Sequence, residues 1–216
     1  MTEPRVVAGR VEEVTRGVST WSVHDDRINF ISASYAVSTE EGTVLIDPLP
    51  LADEPMKELG DVSAICLTTS SHQRSSWRLR RELGVKVWVP ALAREVEEEP
   101  DERYSEDDML PGDLRPVFTP GAGTTQHTFL LDRDGGVAFV PDLLVLPPGG
   151  ELTLIPEQYA HDVEQARRSV QKLLDLPFTV LCLGHGTPVK DNAKSKLEAA
   201  IASRRDSPTD ASGWET

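Results

Sequence analysis

The run Val180-Leu181-Cys182-Leu183-Gly184-His185-Gly186-Thr187-Pro188-Val189 joins an apolar strand to an imidazole set between two glycines. Val180 to Leu183 has no polar position, which suits a strand buried on both faces. Glycine carries no Cβ, so the flanking pair lets other backbone approach closely and leaves His185 uncovered. Two further polar residues stand at expected strand ends. His127 opens the strand 127–131 after a Thr/Gly loop, and Asp142 closes Val137-Ala138-Phe139-Val140-Pro141. Ligand sites of α/β folds gather in the loops beyond strand ends. Two imidazoles and one carboxylate form a donor set that suits a borderline cation such as zinc.

The segments around these residues alternate between short apolar runs and amphipathic stretches. Strands are expected at 18–23, 28–38, 43–46, 63–67, 85–89, 114–118, 127–131, 137–140 and 180–183. Glu40-Glu41-Gly42 and Asp134-Gly135-Gly136 read as hairpin turns. A helix is expected over 71–83, capped by Ser71 and closed by Gly84, and it lies between two strands, which favours parallel pairing. A second helix spans 160–176, with Val163, Ala166, Val170, Leu173 and Leu174 on one face. A third runs from an Asn192 cap through Arg205. The acidic stretch 95–108 reads as a helix end followed by an exposed loop. The expectation is an α/β protein, an αββα sandwich of two mixed β-sheets flanked by helices. One domain would fill 1–205, with a flexible tail at 206–216.

Composition removes several classes. Of 216 residues, 22 are Lys or Arg and 36 are Asp or Glu, giving a net charge of -14. That sign disfavours a nucleic-acid partner, because phosphate backbones reward clustered cations. The basic cluster 74–81 reads as a solvated helix face. No apolar run reaches the ~18 residues of a membrane span, and no secretory leader pattern is visible, so a cytoplasmic protein is expected. Cys66 and Cys182 sit inside apolar runs and read as buried thiols rather than a disulfide. His24-Asp25-Asp26 reads as a solvated turn, and Asp162 as the residue that complements the dipole of the second helix.

Taken in order, these features resemble the metallo-β-lactamase superfamily of metal-dependent hydrolases over residues 10 to 200 or so. Thr43-Val44-Leu45-Ile46-Asp47 looks like the family's Asp-ended strand. Thr119-Pro120-Gly121 with His127, Phe139-Val140-Pro141-Asp142, and Gly184-His185-Gly186-Thr187-Pro188-Val189 look like its three later motifs. The resemblance implies an αββα sandwich with the site at one edge, and His127, Asp142 and His185 as residual metal-ligand positions. The family's main motif, Thr-His-x-His-x-Asp-His, is substituted at all four ligand positions, here Thr69, Ser71, Gln73 and Arg74. His72 falls on a spacer position.

With those positions substituted, each of two metals would keep one imidazole and a shared Asp142, short of the usual three protein ligands of a catalytic zinc. Arg74 would put a fixed charge where a second cation sits and would pair with Asp142 instead. The expected cleft comprises Asp47, Thr69, Ser71, His72, Gln73 and Arg74. Three functions follow. The chain is a degenerate member that binds a small molecule or a protein partner in the old cleft without a metal. Alternatively it is an ester, thioester or lactone hydrolase with one zinc, if His72 swings in beside His127, Asp142 and His185. A helical course through 71–83 opposes that swing, because one residue of slip turns a side chain about 100° around the axis. The third is metal-free chemistry using His72, Arg74 and His185.

Overall fold

A computed structural model describes residues 3–203 of the chain. The tail expected at 206–216, and the end of the last expected helix at 204–205, lie outside the described residues.

The chain begins with an antiparallel ladder of β1 (Glu12–Thr15), β2 (Val18–Asp25), β3 (Phe30–Thr39) and β4 (Gly42–Ile46). Helix α1 (Asp53–Glu58) leads to β5 (Val62–Cys66), which lies parallel to β4. A single 3-10 turn at Ser70–His72 and helix α2 (Ser76–Leu83) precede β6 (Lys86–Pro90), parallel to β5 as the strand–helix–strand pattern requires. The acidic stretch contains a short parallel edge strand, β7 (Glu102–Tyr104), anchored by the buried ring of Tyr104. Strands β8 (Leu114–Phe118), β9 (His127–Leu131) and β10 (Val137–Leu146) form an antiparallel meander. The two-residue strand β11 (Thr153–Leu154) pairs with the end of β10. Helix α3 (Val163–Leu173), strand β12 (Val180–Gly186) and helix α4 (Ala193–Ser203) complete the described chain.

Alternation along the strands sorts the apolar side chains into three layers. Val44, Ile46 and Cys66 point inward to meet Phe129, Phe139 and Cys182 of the opposite strands. Leu45, Ile65 and Val87 point outward beneath Trp77 and Leu79 of α2. Ala138, Val140, Leu181 and Leu183 point outward beneath Val170, Leu173 and Leu197 of α3 and α4. The order is therefore helix, half-sheet, half-sheet, helix, the expected αββα arrangement. Both faces of the central strands are covered, which is why they read as unbroken apolar runs. The two sheets are one in hydrogen bonding, with central order β7-β6-β5-β4-β3-β12-β10-β9-β8. One edge of β3 is divided. Tyr35 to Thr39 pairs with β4, whereas Ser32 pairs with His185 of β12. The half-sheets diverge from that seam.

Four local expectations change. Helix α2 starts at Ser76 rather than at Ser71. Ahead of it, Thr69 caps the 3-10 turn by accepting from the Ser71 amide, and Arg74 takes a left-handed conformation with φ of 42°. A non-glycine residue there breaks the helix and stores strain. Second, β10 continues six residues past the expected end, so Asp142 lies within the strand and His185 lies within β12. Third, the acidic loop contains β7. Helix α3 is shorter than expected at both ends, and Asp162 caps it by accepting from Gln165 N at 2.9 Å. Both cysteines are free and buried, and burial pushes each thiol pKa up.

Candidate functional site

The site forms at the seam, with residues from both half-sheets. Asp142 arrives on a bulge of β10. Val140 pairs with Leu183 and Val145 with His185, so four residues of β10 oppose Gly184 alone. An irregularity of this kind re-aims a side chain. His185 stands next to the bulge because its glycine neighbours admit close backbone. Gly186, at φ of 109°, lies where a Cβ would come within 2.3 Å of Leu146 O. At Gly184 a Cβ would meet His72 Cε1 at 3.2 Å, so that glycine makes room for the second imidazole.

His72 comes from the other half-sheet. Beyond β5, Asp47 accepts from Thr68 N at 2.8 Å and Thr68 Oγ1 at 2.5 Å, which fixes the start of the loop. The 3-10 turn then lays the His72 ring between two carboxylates. Its Nδ1 is 2.9 Å from Asp47 Oδ2, and its Nε2 is 2.9 Å from Asp142 Oδ1. His185 Nε2 approaches the same Asp142 oxygen at 3.0 Å, while its Nδ1 faces Ile31 O at 3.3 Å. Ser71 Oγ donates to the other Asp142 oxygen at 3.3 Å. One ligand atom from each of His72, Asp142 and His185 lies within 4.8 Å of the other two.

These contacts constrain the protons. A backbone carbonyl only accepts, so His185 carries a proton on Nδ1. The Asp47 carboxylate calls for the same on His72. If both imidazoles are neutral, two Nε2 lone pairs then face one carboxylate oxygen. That arrangement needs positive charge between them, either protons on the imidazoles or a bound cation. Burial and Arg74 both oppose protonation of His72, but Asp142 and Asp47 outweigh them and raise its pKa. Burial likewise opposes ionisation of Asp142, yet His72 and His185 hold its carboxyl well below the usual carboxylate value.

The expected Arg74–Asp142 ion pair is not formed. Arg74 is buried beneath the loop, where Nη1 donates to Ala33 O at 2.7 Å, Asp47 O at 3.0 Å and Ser34 Oγ at 3.5 Å. His72 holds the place beside Asp142, because residues 70–72 form a separate 3-10 turn rather than the first turn of α2 and the one-residue slip does not turn it away. His127 stands apart from the three. Its Nδ1 faces Thr125 O at 2.9 Å, and its ring packs against Tyr104 and Phe118, both at 5.2 Å. Burial lowers its pKa.

Of the expected cleft residues, Ser71, His72 and Arg74 line a cavity of about 580 Å³ together with Asp142 and His185. Asp47, Thr69 and Gln73 support the loop from behind. Gln73 Oε1 accepts from Trp77 Nε1 at 2.8 Å and Glu97 N at 2.6 Å. The rest of the cavity wall includes Phe30, Val145, Ile155 and Tyr159, and the turn that carries Asp25 and Arg27. His24 and Asp26 are exposed in that turn, as expected, but Asp25 is not. Asp25 is 1% exposed and takes the Arg27 guanidinium at 2.8 Å. An acid and an arginine two residues apart, after a strand that ends at the same edge, were the available signal. The arginines of α2 do form a solvated face, paired with Glu82, Asp101 and Glu98.

A family profile described as the metallo-beta-lactamase superfamily matches residues 14–204. No curated protein matches the chain. Solved structures share the fold at low identity. A metallo-beta-lactamase from Pontibacter korlensis is 19% identical, with a TM-score of 0.69 over 89% of this chain and 98% of that one. The archaeal superfamily protein ST1585 from Sulfolobus tokodaii is 16% identical, with a TM-score of 0.69 over 88% and 87%. The DIM-1 metallo-beta-lactamase exposed to ceftazidime is 12% identical, with a TM-score of 0.72 over 92% and 98%.

Proposed function

The chain belongs to the metallo-beta-lactamase superfamily, and from that membership we propose a hydrolase of small acyl compounds (esters, thioesters or lactones) that works with one divalent cation rather than two. His72, Asp142 and His185 hold the cation, and the cavity beside them holds the substrate. One observation carries this reading. Two Nε2 atoms converge on a single Asp142 oxygen at 2.9 and 3.0 Å while both Nδ1 atoms face oxygen.

The donor set fits one cation. Three protein ligands is the usual number for a catalytic zinc, and ligating histidines commonly give their second nitrogen to a carboxylate or a carbonyl. Asp47 and the Ile31 carbonyl stand in those places. The set does not fit a pair of cations. Among the described residues His127 is not part of the group whose ligand atoms converge, and the buried Arg74 guanidinium already supplies a permanent charge beneath the site. A bound divalent cation supplies Lewis-acid polarisation of a carbonyl oxygen. Asp47 holds the His72 tautomer, Ser71 steadies the second Asp142 oxygen, and Arg74 ties the Asp47 loop to the backbone at Ala33. The cavity wall excludes water from one side of the substrate.

A second reading has its own support. Separations of 2.9 and 3.0 Å are ordinary hydrogen-bond lengths, and the raised pKa of His72 favours an imidazolium. On that reading the chain binds a small ligand without a metal and hydrolyses nothing. The net charge of -14 supports a small molecule over nucleic acid in either case. Free, buried Cys66 and Cys182 support a reducing compartment such as the cytoplasm. The two readings separate in a panel of aryl esters, acyl thioesters and lactones assayed before and after chelation. Activity that chelator abolishes and zinc restores supports the hydrolase. No turnover in either state supports the metal-free ligand-binding protein.

A further inference from the structure

The guanidinium of Arg74 is only half used. It is 4% exposed, all its hydrogen bonds run from Nη1, and its buried Nη2 has no partner. A buried unpaired donor is costly, the more so on a charged group. The backbone at Arg74 is also held in a left-handed conformation at φ of 42°, where arginine is rarely found. Strain of that kind concentrates at functional sites. Arg74 is part of the cavity wall, near His72 and Asp142, whereas Phe30, Val145, Ile155 and Tyr159 give the wall an apolar part and Asp25, Asp26 and Arg27 a charged one.

We propose that the cavity selects an organic carboxylate with an alkyl or aryl body, its charged end taken by Arg74 and its body by the apolar wall. The proposal rests on the reading of this cavity as the substrate site. It names the substrate class, an apolar acyl group whose released acid keeps an oxygen toward Arg74.

The test is calorimetric titration of the protein as purified, with hexanoate, hexanamide and butyrate as probes and the metal content of each sample measured alongside. Hexanoate is expected to bind at least tenfold more tightly than hexanamide. It should exceed butyrate by about fifteenfold, since each buried methylene is worth about fourfold. Arg74→Asn suits the left-handed backbone and should reduce hexanoate to the level of hexanamide when the two are compared per equivalent of bound metal. Ile28 and Tyr159 line the cavity and are exposed, so Ile28→Ser and Tyr159→Ala should fold. These should shrink the hexanoate-to-butyrate ratio. Equal binding of acid and amide, or full hexanoate affinity in folded Arg74→Asn, overturns the proposal. If Arg74→Asn does not fold, an unchanged chain-length ratio in both wall variants overturns it. Protein without metal that still selects hexanoate through Arg74 overturns the one-cation reading alone.

Discussion

His72 is the residue on which the site turns, and Asp47 is what makes it usable. With Nδ1 committed to Asp47 Oδ2 at 2.9 Å, the Nε2 atom is left for Asp142 or a cation. Asp47→Asn keeps the shape but can present its amide N–H₂ to His72, which favours the wrong tautomer. Zinc affinity, read by competition with a chelating dye, should fall ten- to a hundredfold; an unchanged affinity removes Asp47 from the site. The His72 shift also makes a statement about pH in metal-free protein. Its folded pKa is raised above the ordinary 6.5. The stability it contributes is therefore fully present below 6.5 and is lost as pH rises through the folded value. In chelated samples, the stability difference between wild type and His72→Gln should shrink as pH rises from 6 to 9. A difference that grows contradicts the assignment. His185 and Asp142 were legible because glycine and strand-end context marked them. His72 was legible only as a histidine out of register, because nothing in Gln73-Arg74-Ser75 announces a left-handed arginine. His127 carried the same strand-start signal as a ligand would, yet its ring packs between Tyr104 and Phe118.

At the scale of elements, what the site needs is irregularity. The 3-10 turn, the break at Arg74 and the long bulge in β10 each place one site residue, and none follows from hydrophobic periodicity. Regular elements were far more legible. The β5–α2–β6 unit, the β9–β10 hairpin and α3 follow from apolar spacing, turn glycines and caps, all of them local chemistry. Helix α3 packs over β10 behind the Asp142 bulge, so its cap bears on the site's support. Asp162→Ala removes the acceptor for Gln165 N and should cost about 1 kcal/mol in urea denaturation. A loss below a few tenths would show that the cap contributes little here. Strand β7 escaped notice because three residues in an acidic run carry no period, and its one buried side chain, Tyr104, is held by Leu67 O at 2.6 Å.

For the molecule as a whole, the layered fold and the site are one problem. Asp47 and His72 belong to one half-sheet, Asp142 and His185 to the other, and the halves are hydrogen-bonded at the Ser32–His185 rung. A cation held by these ligands would clasp the two halves. Binding to the folded state alone should then raise stability, by about 2.7 kcal/mol at a hundredfold excess over Kd. Calorimetric melting with added zinc should show a higher Tm in wild type and none of that gain in Asp142→Asn. The αββα order was legible because strands apolar on both faces demand cover on both sides. Joining of the halves into one sheet was not, since a single rung has no sequence signature.

Elemental analysis of protein purified without chelator bears on all three scales at once. One equivalent of zinc, iron or manganese per chain is predicted for wild type, with none in His72→Ala and an unchanged content in His127→Ala. Two equivalents in wild type, no metal at all, or metal retained by His72→Ala would contradict the single-cation site.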